Sequence, residues 1–364
     1  MMRAHGAGAF QADPEAQAVD GMAWIPGGRF LMGADRHYPE EGPAHPVTVD
    51  GFFIDLAPVT NRDFARFVAA TGYITLAERP PRPEDHPGAD PRLLVPGSIV
   101  FVPPSEDGDP QDWTRWWHFM PGADWRHPQG PDSSIEARMD HPVVHVCHGD
   151  ATAYAGWAGK ALPSEAEWEF AARGGLEGAD YAWGDELAPG GVHRANTWQG
   201  RFPVENLAED GHVGTSPVTA FPPNGFGLFD MIGNVWEWTD DWYRPRHPEQ
   251  AGKSCCIPRN PRGGSALESL DLLAPGAASP RKVLKGGSHL CAPSYCRRYR
   301  PAARQPQTLD TASAHSGCRC SRRGAGPPAR GSPRASPPRP RGRPPGQWRV
   351  PPPRRAPGRP PPPP

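Results

Sequence analysis

Lys285-Gly-Gly-Ser-His-Leu-Cys-Ala-Pro-Ser-Tyr-Cys-Arg-Arg-Tyr-Arg300 sets two thiols, Cys291 and Cys296, in a polar stretch that glycine opens and arginine closes. Residues five apart point to opposite faces of a strand and stand well apart around a helix, so a shared task for the two sulfurs requires a turn between them. Pro293 supplies one, because it fixes its own φ, lacks an N–H and biases Ala292 away from the helical region. Lys285, Arg297, Arg298 and Arg300 are expected to form a positive field that favours thiolate. The stretch reads as an active-site loop. Converging thiols serve as a structural disulfide, a redox dithiol or a soft-metal site, and spacing alone does not choose among them, since neither a C-x-x-C nor a zinc pattern is present.

A chain of 364 residues is long enough to bury a full core. Its 51 Pro, 42 Gly and 13 Trp predict a loop-rich body pinned by aromatic side chains. The net charge of −1 hides an asymmetry: residues 321–364 hold eleven Arg and no acid, leaving −12 on residues 1–320. An acidic body suits cations and argues against a nucleic-acid surface on the folded part. No run approaches the roughly 18 apolar residues of a membrane span, and residues 1–20 lack the apolar core of a signal peptide. With seven unevenly spaced cysteines, the reading is a cytoplasmic protein, away from membranes and without a disulfide framework.

Residues 1–20 are small, polar and aperiodic and read as a disordered leader. Met22–Gly33, interrupted by Pro26-Gly27-Gly28, reads as a hairpin, and Val47–Asp55 as a further strand region. Thr60 caps a helix with Phe64, Phe67 and Val68 on one face and Gly72 as its stop. Residues 79–140 read as a long surface loop held down by Trp113, Trp116, Trp117 and Trp125. His86, His118, His127, His141, His145 and His148 lack zinc spacing. Asp150 is expected to cap a second helix through Trp157. Ser164-Glu-Ala-Glu167 is a capping box for a third, ended by Gly174-Gly175, which gives Glu165, Glu167 and Glu169 solvated or capping roles rather than catalytic ones. Trp236 and Trp238 share one face of an extended segment and either wall a peptide groove or belong to the core. Cys255-Cys256 is left without a role, because vicinal cysteines rarely bridge without strain.

The thiol loop together with Ser294-Tyr-Cys-Arg-Arg-Tyr-Arg-Pro-Ala-Ala-Arg304, the Thr71-Gly-Tyr73 and Ala77-Glu78 pairs, Leu162–Gly175 and Gly233-Asn-Val-Trp-Glu-Trp238 resembles the formylglycine-generating enzymes, the sulfatase-modifying factor family, from about Met22 to Arg319. The resemblance implies a single mixed α+β domain with little regular secondary structure over residues 21–320. It implies oxidation, by O2, of the cysteine in a Cys-x-Pro-x-Arg segment of an unfolded or nascent sulfatase to Cα-formylglycine. It further implies Cu(I) on Cys291 and Cys296, with Ser288 and Tyr295 orienting substrate or oxygen. Two calcium sites follow by the same likeness, one from Asn196, Thr197, Asp210 and His212, the other from Asp230, Gly233, Val235 and Glu237. By the residues alone these are Asx turns and a Gly-Asn bend. Ala155 and Ala172 stand where secreted relatives hold structural cysteines, which agrees with the cytoplasmic reading; a monomer is expected. Other readings are a non-catalytic peptide-binding paralogue of the fold, and an iron-dependent sulfoxide synthase of ergothioneine type, whose three-His iron site normally sits on an attached helical domain for which this chain has no room.

Ser316 and Cys318 fall where the family packs apolar residues before a terminal Gly-Phe-Arg. Residues 321–364 are almost entirely Pro, Arg, Gly, Ala and Ser. They are expected to be a disordered tail, read as the product of a shifted reading frame that leaves the closing strand missing.

Overall fold

A computed structural model describes residues 21–85, 88–104, 112–248, 257–271 and 279–324. The leader, His86, Cys255-Cys256 and the tail beyond residue 324 lie outside the described residues. Among the described residues, three α-helices, several 3-10 turns and eleven short strands, joined by long irregular segments, give the α+β fold with little regular secondary structure that the sequence predicts.

Strand β1 (Met22–Ile25) and strand β2 (Gly28–Met32) do not form the expected hairpin with each other. Instead β2 pairs with β3 (His45–Val49), and β1 pairs with β4 (Phe52–Asp55). Gly27 and Gly28, both at positive φ, let the chain step from one sheet to the other. The single strand region expected at Val47–Asp55 breaks at Asp50-Gly51, where only glycine fits, because a Cβ at Gly51 would lie 2.4 Å from the Trp24 ring.

Helix α1 (Asn61–Thr71) keeps its expected bounds. The Thr60 side chain accepts from the Asp63 N–H, and Gly72 closes the helix in the left-handed conformation. Its buried face meets Trp125, with ring centroids 5.2 Å apart at Phe64, and Tyr154 of α2 (His148–Trp157). The N-cap of α2 is Cys147 rather than Asp150; the Asp150 carboxylate reaches back to the Cys147 N–H at 2.9 Å. Helix α3 (Glu165–Arg173) starts at the Ser164 capping box, with Ser164 N–H to Glu167 at 2.8 Å. The stretch read as a surface loop over 79–140 holds an antiparallel pair, β5 (Gly97–Phe101) and β6 (Trp117–Pro121), and buries Trp116 and Trp125 almost completely.

The sheet that organises the site has the order β10-β7-β8-β9, from β7 (Trp236–Trp242), β8 (Arg281–Lys285), β9 (Arg304–Thr308) and β10 (Ser316–Gly317). Directly paired residues share a face. Glu237 pairs with Lys285, and Lys285 with Arg304. These three point at α3, where the two cations meet carboxylates and Glu237 meets an indole N–H. Arg304 grips Glu165 through two 2.8 Å bonds, Lys285 Nζ lies 3.0 Å from Glu169, and Glu237 accepts from Trp168 Nε1 at 2.7 Å. Burial alone would raise the Glu169 carboxyl, but Lys285 and Arg173 hold it down at about 2. Glu165 and Glu169 are therefore buried ion-pair anchors, not solvated residues, while Glu167 has the capping role expected of it.

The closing strand is present. Ser316–Gly317 runs parallel to Trp236–Glu237, and β11 (Ser321–Arg323) pairs with β4, so the folded body extends beyond the boundary at 320. Cys318 is fully buried in the main apolar cluster, its thiol filling the place of a small hydrophobe, and Ser316 Oγ bonds Ser313 Oγ at 2.8 Å. No described helix is long and apolar enough to cross a membrane.

Candidate active site

Two successive tight turns bring the thiols together. The Cys291 N–H donates to the Ser288 carbonyl at 2.9 Å, and the Cys296 N–H to the Ala292 carbonyl at 2.9 Å, with Pro293 between them. Gly287, at φ +72°, opens the loop where a Cβ would lie 2.8 Å from the Tyr299 nitrogen. The sulfurs stand 3.2 Å apart, and both cysteines are free thiols. This separation is far longer than the roughly 2.05 Å of a disulfide bond.

The pair is electrostatically unequal. Burial, then the neighbouring sulfur, raises Cys291 well above an ordinary thiol. Cys296 is lowered by the hydrogen bond from Cys291 and by the charge of Arg298. The expected positive field reduces to Arg298 alone, whose Nη1 lies 4.0 Å from Cys296 Sγ. Lys285 is spent on Glu169 and Arg300 on Glu41, while the Arg297 side chain bonds Tyr181 and Tyr299. Arg298 is itself held from the opposite end of the chain: its Nη2 donates to Glu40 at 2.6 Å and its guanidinium lies 3.9 Å from the Tyr38 ring centroid. Replacing Arg298 with Leu is expected to move the pH midpoint of Cys296 alkylation upward and to slow alkylation at neutral pH severalfold, whereas Glu40→Gln, which removes the opposing charge but keeps an acceptor for Arg298, should move it slightly downward. Unchanged midpoints in both variants would remove Arg298 from the account.

A cavity of about 680 Å³ opens over the thiols. Trp113, Trp117, Phe202 and Tyr295 wall it; Leu284, Trp236, Gln305 and Gln307 come from the face of the sheet turned away from α3. Tyr295 stacks on Phe202 with centroids 4.3 Å apart and leaves 39% of its surface exposed. Ser288 is fully buried; its Oγ accepts from the Leu290 N–H at 3.3 Å and lies 3.2 Å from His315 Nδ1. Burial pushes His315 down to about 3, so its imidazole is neutral. Of the two tryptophans read as groove or core, Trp236 borders the cavity, whereas Trp238 is core and donates to the Val146 carbonyl at 2.9 Å. Glu40, Tyr38, His315, Gln305 and Gln307 were not picked out by the sequence, since each arrives from a segment with no motif of its own.

The two sets of calcium candidates converge, with the Asn196 carbonyl accepting from the Asn234 N–H at 2.8 Å. In the first, Asp210 gathers the N–H groups of Thr197 at 3.0 Å and His212 at 2.9 Å, while the buried Asn196 Oδ1 has no hydrogen-bond partner. In the second, Asp230 Oδ1 is likewise buried and unpartnered, and burial lifts the Asp230 carboxyl to about 7. Asp230, Gly233 and Asn234 all take positive φ, wrapping the chain beneath the buried Val235. Those free oxygens fit a hard cation. Glu237 does not, because Arg319 grips both of its oxygens at 2.6 and 2.8 Å. Among the described residues no three His, Cys, Asp or Glu side chains are grouped to hold a metal.

Residues 7–324 match the model of the sulfatase-modifying factor enzyme 1-like domain. The chain belongs to the sulfatase-modifying factor family. The formylglycine-generating enzyme of Mycobacterium tuberculosis is 54% identical over 297 residues, 81% of this chain and 95% of the relative. That of Thermomonospora curvata is 48% identical over 310 residues, 84% and 94% of the respective chains. Among solved structures, PvdO from Pseudomonas aeruginosa superposes with a TM-score of 0.54 at 25% identity, covering 83% of this chain and 93% of PvdO. The family match stops at the end of the described residues, just past β11.

Proposed function

We propose that this protein converts the cysteine of a sulfatase Cys-x-Pro-x-Arg segment to Cα-formylglycine, and that O2 is the oxidant. The observation that carries the reading is the pair of free thiols 3.2 Å apart at the foot of a peptide-sized, aromatic-walled cavity, in a chain 54% identical to a formylglycine-generating enzyme. Oxidising the cysteine's methylene thiol to an aldehyde, with release of hydrogen sulfide, removes two electrons. Reduction of O2 to water takes four, so a thiol reductant must supply the other two.

Cys291 and Cys296 are the residues that would hold Cu(I): two soft donors suit a soft monovalent ion, and the lowered Cys296 is available as thiolate. Copper, when bound there, supplies the activation of O2 that thiols alone lack. Tyr295 and Phe202 shield the site from water on one side, and Ser288, tied to His315, offers a buried hydroxyl beside the sulfurs. A peptide-binding role without chemistry has no use for two unpaired thiols on the cavity floor. Five described cysteines, Cys147, Cys291, Cys296, Cys318 and Cys320, are free, which supports action in a reducing compartment such as the cytoplasm. Co-expression with a sulfatase in a host lacking such an activity tests the function: the sulfatase should gain its aldehyde and its activity only when this protein is present.

Calcium is proposed as a structural ion drawing on Asn196 and Asp230, with Asp210 shaping the site. A ligand that binds only the folded state stabilises it by about 2.7 kcal/mol at a hundredfold excess over its Kd. Chelation should therefore lower the melting temperature, and Asn196→Ala or Asp230→Ala should blunt that response. Melting curves indifferent to chelator would return these residues to turn and core roles.

A further inference from the structure

Besides the thiols, the cavity is lined by residues of β9, Gln305 and Gln307. The contacts of the strand's side chains divide by parity. Arg304 faces α3 and is consumed by Glu165, whereas Gln305 and Gln307 face the cavity beside Leu284, the direct partner of Gln305. Among the described residues neither carboxamide has a hydrogen bond to the protein. Both sit on an edge strand, but Pro306 between them removes a backbone donor, so a substrate joining that edge as a further strand meets an interrupted ladder. The exposed face offers what the edge does not.

A carboxamide carries an N–H donor and a C=O acceptor in one plane, the same complement as a peptide group. Residues i and i+2 of a strand lie about 6.8 Å apart, and an extended peptide turns like-facing peptide groups to one side at that same interval. Two carboxamides at this spacing match two alternate peptide groups of an extended chain. We infer that Gln305 and Gln307 are binding residues that read the main chain of an extended substrate segment and hold its cysteine at the Cys291–Cys296 end of the cavity. The inference rests on the function proposed above and adds a reason for selectivity. A folded segment has its peptide groups already paired in helix or sheet and cannot offer them, so the cavity selects unfolded chain.

The test is a double-mutant cycle between protein and peptide. Gln305→Leu and Gln307→Leu are each expected to reduce kcat/KM for a Cys-x-Pro-x-Arg peptide about three- to tenfold, the scale of one hydrogen bond, through KM rather than kcat. Peptides with a single backbone amide replaced by an ester lose the matching donor. Scanned along the segment, one ester is expected to cost the wild type a similar factor and to cost the matching Leu variant nothing further. Gln307→Glu, which keeps an acceptor in place, should recover part of the loss. Melting temperature and Cys296 alkylation rate at wild-type values show that the variants fold. Variants with unchanged KM, or ester effects that multiply independently of the variants at every position, overturn the inference. Failure of the wild type to turn over the all-amide peptide overturns the functional reading instead.

Discussion

Cys291→Ser and Cys296→Ser are each expected to lose turnover of a Cys-x-Pro-x-Arg peptide by at least about a hundredfold, the loss seen when even an outer-shell partner of a metal site is removed. The sulfurs are 3.2 Å apart and unbridged. Serine keeps the size of the side chain but replaces a soft, polarisable donor with a hard hydroxyl that does not ionise near neutral pH. Cys291 is 3% exposed and lies in the main apolar cluster, and Cys296 packs on that cluster's edge, so neither change opens a cavity and the fold should persist. The two variants should differ in one respect. Cys296 is the lowered thiol beside Arg298, and losing it should also abolish the alkylation that appears below the pH range of ordinary thiols. Cys291→Ser should leave Cys296 alkylatable, and Cys291→Ala should move its midpoint upward, because the hydrogen bond that most lowers it is then gone. Turnover near the wild-type level in either variant contradicts the role given to the pair.

The second large effect concerns Arg319 and Glu237. Both are fully buried, joined by two bonds of 2.6 and 2.8 Å, and Arg319 also donates to the carbonyls of Asp55, Phe229 and Asp230. Removing one member strands the other charge without water, which costs about 3–5 kcal/mol. Arg319→Ala and Glu237→Ala should each lower stability on that scale in urea titrations, with Arg319→Ala the worse because it also takes a donor from three carbonyls. The pair locks the segment between β10 and β11 to β7, so its loss is expected to expose Cys318 and Cys320 to thiol reagents as the end of the body frays. A change below about 1 kcal/mol would show the pair to be incidental.

Local signals read well where the chain decides its own conformation. Thr60 and Gly72 bound α1 because an N-cap side chain and a left-handed glycine are properties of those residues. The Ser164–Glu167 box starts α3 for the same reason. The two thiols with a proline between them were legible as converging, because Pro293 excludes the regular conformations that would keep them apart. Signals failed where the deciding contact is distant in sequence. Pro26-Gly27-Gly28 looks like a hairpin turn, but β1 finds a better partner in β4, whose other side is closed by β11 from the far end of the body. The basic residues around the thiols looked like a common field; three of the four are claimed by Glu41, Glu169 or tyrosine hydroxyls, and only Arg298 is left facing a sulfur. Cys318 looked like a defect in an apolar position, yet a buried thiol packs as a small hydrophobe and the closing strand forms. Glu237 looked like an oxygen ligand and is an arginine's partner, which no local pattern announces.

The most direct measurement is the mass spectrum of a Cys-x-Pro-x-Arg peptide incubated in air with the purified, Cu(I)-loaded protein and a thiol reductant. The account predicts a product that has lost its sulfur and gained an aldehyde trapped by an aminooxy reagent, in an amount that falls to background with Cys291→Ser. An unchanged or merely disulfide-linked peptide, or the same aldehyde yield without the thiol pair, would contradict it.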